Sequence, residues 1–465
     1  MLLLAVNLSL CLHLSFAAPA ASKLPETFDM PAVDAWLAAQ MKEPGRVGLS
    51  VTVVKDGHVV LAKGYGQRSL ADGRPVLPDT LFAIGSVSKQ FTCACILLLA
   101  EEGKLSVRDP VSKYFPNLTR GKDITLLDLM NHASGYPDYY PLDFVDRRML
   151  RPIEADELLR QYAGGKLDFE PGTRYSYSNT GYILLGRVVE KVSGEEFGAF
   201  LTKRIFKPVG MEHTVYDPAP SDARLALGYT AFALSEPEPT VREGKGWAGA
   251  AGAIYSTPSD LAKWDFALLD GRVLKPESFA LMTTPRKLAA GRLSGYACGL
   301  AVSTQSGRQV IRHNGAVSGF ATDSAMIPAT RSAVIMTCNL DGGLGDWPKQ
   351  LLMLLLKEAS TVPTIAGPPA DSTAQAVLAQ FQSGKLKREQ FGEEFNHFLT
   401  TEKLAGATRR LKPYGKPRSM EVTSRGERGG MEVTQTRLVF KSGVLNAQMY
   451  RQPSGIIEQI FFSKE

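Results

Sequence analysis

Nowhere in the 465 residues do more than two Lys or Arg stand side by side. Proteins that grip nucleic acid usually concentrate basic charge on one face or stripe. A net charge of +6, from 53 basic and 47 acidic residues, makes no case for a DNA or RNA partner. Cysteine is also scarce. The chain has five, and with Cys11 in an amino-terminal apolar run, the remaining four are too few for a disulfide framework. Cys93 and Cys95, two apart on an expected helix, point to different sides. There is no Cys-x-x-Cys, no His-Glu-x-x-His, and none of the six His stands in a metal-like cluster, so no metal and no other cofactor is expected. With 43 Gly and 28 Pro the chain is neither collagen-like nor low-complexity, and 44% apolar with 22% charged residues are ordinary globular values. The length suits about three domains.

Residues 1–22 carry no charged side chain. Apolar runs at 2–6 and 8–18 lead into Ala17, Ala18, Pro19, Ala20 and Ala21, the pattern of a signal peptide cut near Ala17 or Ala20. A secreted or periplasmic chain follows. The competing reading, a retained anchor, needs about 18–20 continuous apolar residues. Further on, the longest apolar run, 91–100, is interrupted by Thr92 and suits a buried helix rather than a membrane span.

Runs 47–54 and 58–65 are β-rich and separated by Lys55-Asp56-Gly57, a hairpin signal. From about 85 the pattern turns helical. A short helix is expected over 124–132, stopped by Ser134-Gly135. Another carries Tyr182, Leu185, Val188, Val189 and Val192 at 3.6 spacing and ends at Ser193-Gly194. A third covers 259–269, capped by Ser259 or Thr257. Strands return at 309–313, 321–327 and 333–339, the first read as edge-like, and a helix closes the segment at 347–358. Strands, a helical block, strands and a helix imply one α/β domain over 23–359, built from both ends of the segment, with an all-helical insertion at about 85–245. Residues 360–372 read as a linker. Residues 373–465 hold 15 basic and 9 acidic residues, so they account for the whole net charge. They are expected to form a small α+β domain of helices followed by about four strands.

Three short motifs bear chemistry. Gly85-Ser86-Val87-Ser88-Lys89 opens the buried helix, with Ser86 and Lys89 one turn apart on one face. A serine hydroxyl needs an adjacent base, and a lysine in a dry pocket becomes one as desolvation lowers its pKa. Backbone N–H groups at the helix start are placed to meet developing negative charge. Alone, the pair also fits a helix cap with a solvated Lys; the apolar run that follows Lys89 argues otherwise. Tyr177-Ser178-Asn179 offers a phenol that can shuttle a proton and an amide that can orient a substrate carbonyl or the Lys, although taken alone it also reads as a turn. His313-Asn314-Gly315 combines an imidazole with a residue that lets backbone approach a ligand. The N–H of Ala316 could pair with that of Ser86 as an oxyanion hole. A lone histidine there could equally be structural. Asp128 and His132, at i and i+4, read as a structural pair. Tyr136, Tyr139 and Tyr140 could line a cleft mouth, and Tyr175 has no evident role.

The three motifs in this order resemble the serine β-lactamase and penicillin-binding proteins. Tyr-Ser-Asn and His-Asn-Gly, in place of Ser-Asp-Asn and Lys-Thr-Gly, make the resemblance one to the class C β-lactamase-related serine hydrolases, which include D-alanyl-D-alanine carboxypeptidases, D-aminopeptidases and esterases. It covers about residues 30–358 and extends to 124–137 (ITLLDLMNHASGYP), 177–214 and 251–269 (AGAIYSTPSDLAKWDFALL). It implies a serine β-lactamase-like fold, with an antiparallel sheet flanked by helices. It also implies Ser86 as nucleophile, Lys89 as its base, Tyr177 as proton shuttle, Asn179 as substrate orienter and His313 as the third-motif residue, with Gly315 and Ala316 beside it. The tail weakly resembles a cystatin-like cone.

The reaction expected is an acyl-enzyme on Ser86 and its hydrolysis. The Lys of Lys-Thr-Gly is associated with binding a β-lactam carboxylate. A histidine of ordinary pKa, about 6.5, is mostly neutral at pH 7 and partly charged at pH 6. Small esters, D-amino-acid amides or peptides, or a short cell-wall peptide, are therefore expected ahead of β-lactams. The alternatives are a β-lactamase, a D-alanyl-D-alanine carboxypeptidase, or a catalytically weak penicillin-binding or sensory protein. The presence of Ser, Lys and Tyr together argues against the last. Nothing in the sequence bears on oligomeric state.

Overall fold

The computed structural model describes residues 23–142, 144–357 and 362–465; the leader read at 1–22 lies outside them. The chain separates into two compact units, one ending at Leu356 and the other beginning at Lys357.

The first unit opens with helix α1 (Met30–Gln40) and the hairpin of β1 (Gly48–Lys55) and β2 (His58–Gly66). Asp56 and Gly57 both have positive φ, 51° and 81°, as a tight two-residue hairpin turn requires. Helices α2 (Ser88–Glu101), α3 (Asn179–Ser193) and α4 (Pro258–Leu269) follow, then strands β3 (Ala301–Gln305), β4 (Arg308–Val317), β5 (Phe320–Ile327) and β6 (Ser332–Cys338), and helix α5 (Trp347–Leu356). The sheet runs β2-β1-β6-β5-β4-β3, antiparallel at every pairing. β1 joins the sheet beside β6, so the two ends of the segment close one domain.

Helices cover both faces of this sheet. Leu49, Val51 and Val53 of β1 pack with Trp36 and Leu37 of α1 and Leu351 of α5. On the opposite face Thr52 Oγ1 lies 3.1 Å from Ser259 Oγ at the start of α4. Thr257, not Ser259, caps α4 by accepting from Asp260 N–H. The helical part hangs from a small sheet in which Phe82–Ala83 and Val215–Tyr216 flank Ile254–Ser256. Every residue of α2 from Ser88 to Leu99 is buried, so Lys89 is a charged residue type with no access to water.

The structure corrects two expectations about the sheet. The strand that carries His313 is not at the edge: β3 pairs outside it. β3 reads Ala-Val-Ser-Thr-Gln and is largely exposed, so it lacks the apolar alternation that marks a half-buried strand. β4 also continues to Val317, which places His313 to Ala316 inside a paired strand rather than after its end.

The second unit contains α6 (Ala370–Ser383), α7 (Glu393–Phe398) and α8 (Thr401–Leu411), then β7 (Ser419–Arg428), β8 (Met431–Phe440), β9 (Gly443–Arg451) and β10 (Ile457–Lys464) as an antiparallel meander. Alternate residues of β8 and β9 are buried, and Leu438, Leu445 and Met449 pack against Val377, Leu378 and Phe381 of α6. The expected linker is shorter than read, because α6 begins at Ala370. The segment before it is tied down: Arg451 donates to Pro368 O at 2.8 Å and pairs with buried Glu432.

Candidate active site

The nucleophile candidate lies on a 3-10 turn, Gly85–Val87, that leads into α2. The turn is held from two sides. Ile84 N–H donates to Ile254 O at 3.0 Å, and Ser88 Oγ accepts from Ile254 N–H at 3.3 Å. On the other side β4 passes unusually close. A Cβ on Gly315 would stand 2.0 Å from Ile84 O and 3.0 Å from Ser86 N. A Cβ on Gly85, whose φ is +50°, would stand 2.9 Å from Ala316 N. Only glycines allow this approach, and it sets the backbone of Ala316 against that of Ser86.

Lys89 Nζ is surrounded by three oxygens: Ser86 Oγ at 3.0 Å, Asn179 Oδ1 at 2.7 Å and Ala251 O at 2.8 Å. Burial brings its pKa down to about 7, against the opposing pull of the Asp138 charge. A neutral amine has two N–H donors and one lone pair. The carbonyl oxygens of Asn179 and Ala251 are acceptors only, so they take the two N–H groups, and the lone pair is left facing the Ser86 hydroxyl.

Asn179 starts α3 and is fixed by Asp138, a residue the sequence reading passed over. Its backbone N–H donates to Asp138 Oδ1 at 3.0 Å, and its Nδ2 donates to the same carboxylate at 3.1 and 3.2 Å. The amide therefore faces Lys89 on one side and Asp138 on the other. Asp138 follows Pro137 in the loop after 124–132, where a single acidic residue has no pattern to mark it.

Tyr177 stands beside Ser86. Its hydroxyl is enclosed and makes no well-formed hydrogen bond. Burial pushes the phenol well above its usual range, partly offset by the Ser86 hydroxyl. Lys89 Nζ lies 4.9 Å from the centre of the Tyr177 ring. Beneath that ring lies His132, with centroids 4.1 Å apart. His132 is not paired with Asp128. It accepts from Ser178 N–H at 3.1 Å through Nδ1, while Asp128 completes a capping box with Thr125 and bonds Arg286 at 2.6 Å. Helical spacing placed the two on one face, but the helix ends at Met130 and His132 turns away with φ of 57°.

His313 is buried, and both of its ring nitrogens are engaged. Nδ1 lies 2.5 Å from Asn314 O, and Nε2 lies 2.8 Å from the Tyr296 hydroxyl. A carbonyl only accepts, so Nδ1 carries the proton and Nε2 accepts from Tyr296. Burial and the nearby Lys89 lower its pKa to about 3. The expected partial charge at pH 6 is therefore absent. Tyr296, in an irregular loop, gave no sequence signal.

These residues meet at a cavity of about 530 Å³ lined by Ser86, Tyr177, His313, Asn314, Ala316 and Val317, with Tyr140, Leu142, Ser318, Asp341 and Gly342 at its other walls. Lys89 and Asn179 are not in the lining. Of the aromatic trio, Tyr140 lines the cavity, whereas Tyr136 and Tyr139 are core residues. Asp341, exposed at the cavity wall, accepts from Gly319 N–H at 2.7 Å, and partial desolvation of its carboxyl raises its pKa. Glu243 accepts from the Tyr140 hydroxyl at 2.8 Å and from Ser318 N–H at 3.3 Å. Among the described residues no group of three or more His, Cys, Asp or Glu could hold a metal ion, and no helix is long and apolar enough to cross a membrane.

A serine and a buried lysine beneath a cleft between helices and sheet are the equipment of a serine acyl-transfer enzyme. Residues 33–355 match the Beta-lactamase family model, and the chain belongs to that family. It is a serine hydrolase of that family. It is 28% identical over 333 residues to a D-aminopeptidase of Brucella anthropi, an alignment that covers 71% of this chain and 63% of that protein. It therefore spans less than two thirds of that relative's length. Among solved structures it is similar to a penicillin-binding protein from Bacillus halodurans (TM-score 0.58, 27% identity, 66% of this chain and 96% of that one). It is also similar to the D-amino acid amidase from Ochrobactrum anthropi (TM-score 0.59, 25% identity, 70% of this chain and 96% of that one).

Proposed function

We propose that this chain hydrolyses small amides, peptides and esters that carry a free ammonium near the scissile carbonyl, D-amino-acid amides and short D-peptides foremost. Neutral Lys89 takes the Ser86 proton as Ser86 attacks. Tyr177 passes a proton to the leaving amine, and the N–H groups of Ser86 and Ala316 receive the oxyanion. Water then releases the acyl group. Asn179 holds Lys89 in register.

The observation that carries the substrate class is the charge around Ser86. Among the described residues no Lys or Arg lines the cavity, and Asp341 does. Lys89 is neutral above its pKa of about 7, and His313 above about 3. Above pH 7 a substrate carboxylate therefore finds no cation here, whereas an ammonium finds Asp341 with Glu243 close behind Tyr140 and Ser318. This disfavours β-lactams and C-terminal carboxylate peptides. The likeness to a D-aminopeptidase and a D-amino acid amidase supports the same choice. The apolar leader at 1–22 supports action outside the cytoplasm.

The test is a comparison of kcat/KM for D-phenylalanine amide, its N-acetyl derivative, a D-alanyl-D-alanine peptide, p-nitrophenyl acetate and nitrocefin. The free-amine amide should exceed its acetylated form by at least tenfold, and Asp341→Asn should erase that difference without changing p-nitrophenyl acetate turnover. Faster hydrolysis of nitrocefin than of every amide and ester would overturn the reading in favour of a β-lactamase.

A further inference from the structure

The second unit holds a cavity of about 600 Å³ that takes no part in the chemistry above. Its floor is made by Phe381, Leu411, Leu445 and Ile460, all buried. One wall is aromatic. Phe395 and Phe398 stack almost parallel at 6.0 Å, and Phe461 meets both edge-on at 6.3 and 6.1 Å. Phe398 and Phe461 remain 43% and 45% exposed, so the wall offers apolar surface to whatever enters. The volume is in the usual range for a small-molecule site.

The charge around this cavity is one-sided. Lys403, Arg410 and Lys464 line it, and among the described residues no Asp or Glu does. Among the described residues, none of these three pairs with a carboxylate, although Arg425, Arg437 and Arg451 in the same unit all do. Lys403 Nζ stands 3.7 Å over the Phe398 ring, which brings a cation to the edge of the apolar wall. An aromatic slot bordered by unpaired cations matches a ligand with a hydrocarbon body and a negative head. A free phosphate would leave the slot unfilled, and a neutral sterol would leave the cations unused.

We propose that the second unit binds a single-chain amphiphilic carboxylate, of the fatty-acid class, with its chain against Phe395, Phe398 and Phe461 and its carboxylate among Lys403, Arg410 and Lys464. This does not depend on the reading of Ser86.

The full-length protein would be titrated by calorimetry with laurate, dodecanol and dodecyltrimethylammonium, each below its micelle concentration. Laurate should bind with one-to-one stoichiometry and at least tenfold more tightly than the other two. Ala407→Trp fills the cavity from α8 and should weaken laurate at least tenfold. The double variant Lys403→Glu/Arg410→Glu changes exposed residues. It should cost laurate a similar factor and remove its advantage over the ammonium. Ser86→Ala should leave laurate binding unchanged, which separates this site from the catalytic one. The proposal fails if laurate does not saturate, if the three amphiphiles bind alike, if the charge-reversal variant binds laurate normally, or if Ser86→Ala abolishes binding. It also fails if the protein sediments with phosphatidylglycerol vesicles but shows no laurate site, which would make this face a membrane surface.

Discussion

The hydroxyl of Tyr296 donates to Nε2 of His313 at 2.8 Å and leaves that ring nitrogen engaged inside the protein. With Nδ1 held by Asn314 O, His313 supports the strand that flanks Ser86 and leaves the titration of the site to Lys89. Lys89 is charged below its pKa of about 7 and neutral above it, and only the neutral amine can accept the Ser86 proton. Turnover of p-nitrophenyl acetate should therefore rise with pH, with a midpoint near 7, and then level off. Tyr296→Phe removes a donor to His313 and would raise the imidazole pKa. If His313 set the midpoint, that variant would shift it upward. The expected outcome is an unchanged midpoint, measured as kcat/KM between pH 5 and 9.

Lys89 and Tyr177 flank the same hydroxyl, so their losses should not multiply. Lys89→Ala and Tyr177→Phe should each lower kcat by roughly 10²–10⁴-fold, as for removal of a general acid–base group. The double variant should fall little further than the worse single, since coupled groups act as a unit. Single-turnover acylation of each variant checks this. Fully multiplicative effects would mean that the two residues lie on separate proton paths.

The close approach at Gly315 can be tested by adding one methyl. In Gly315→Ala the new carbon would begin 2.0 Å from Ile84 O, so β4 must withdraw from the Ser86 turn. Overpacking of this kind costs about 1–3 kcal/mol, and it would carry Ala316 away from Ser86. Both melting temperature and kcat should drop. Gly426→Ala serves as control, because a Cβ there meets nothing within 4 Å.

How much of this was legible beforehand depends on the scale of each relationship. Ser86 and Lys89 could be paired because one helical turn relates them, and because a lysine leading into the apolar run 91–100 is a charged residue type where burial is expected. The hairpin at Asp56-Gly57 and the end of α3 at Gly194 were readable for the same reason: turn chemistry is local. Asp138, Tyr296 and Asp341 were not readable, since each matters only through a contact made across the fold. β3 escaped because its exposed, polar composition lacks the alternation that burial imposes. His132 misled because its spacing from Asp128 is helical while its backbone is not.

Asp138 offers the sharpest test of how the site is organised. Its carboxylate receives both the backbone N–H and Nδ2 of Asn179, and its charge holds the Lys89 pKa up against burial. Asp138→Asn preserves the shape and removes the charge. Two consequences follow with definite signs. The Lys89 pKa should fall below about 7, so the midpoint of the pH–rate profile should move toward acid. An amide at 138 can no longer accept every N–H of Asn179, so Asn179 should turn and draw its Oδ1 away from Lys89. Misplacement on that scale costs roughly 10²-fold in rate, and it should fall on kcat rather than KM, because Asn179 does not line the cavity. The pH profile and the separate constants for D-phenylalanine amide are the measurements. A structural role alone would lower the melting temperature and leave the midpoint in place, so a midpoint that stays put, or moves toward base, would show that Asp138 does not act through Lys89.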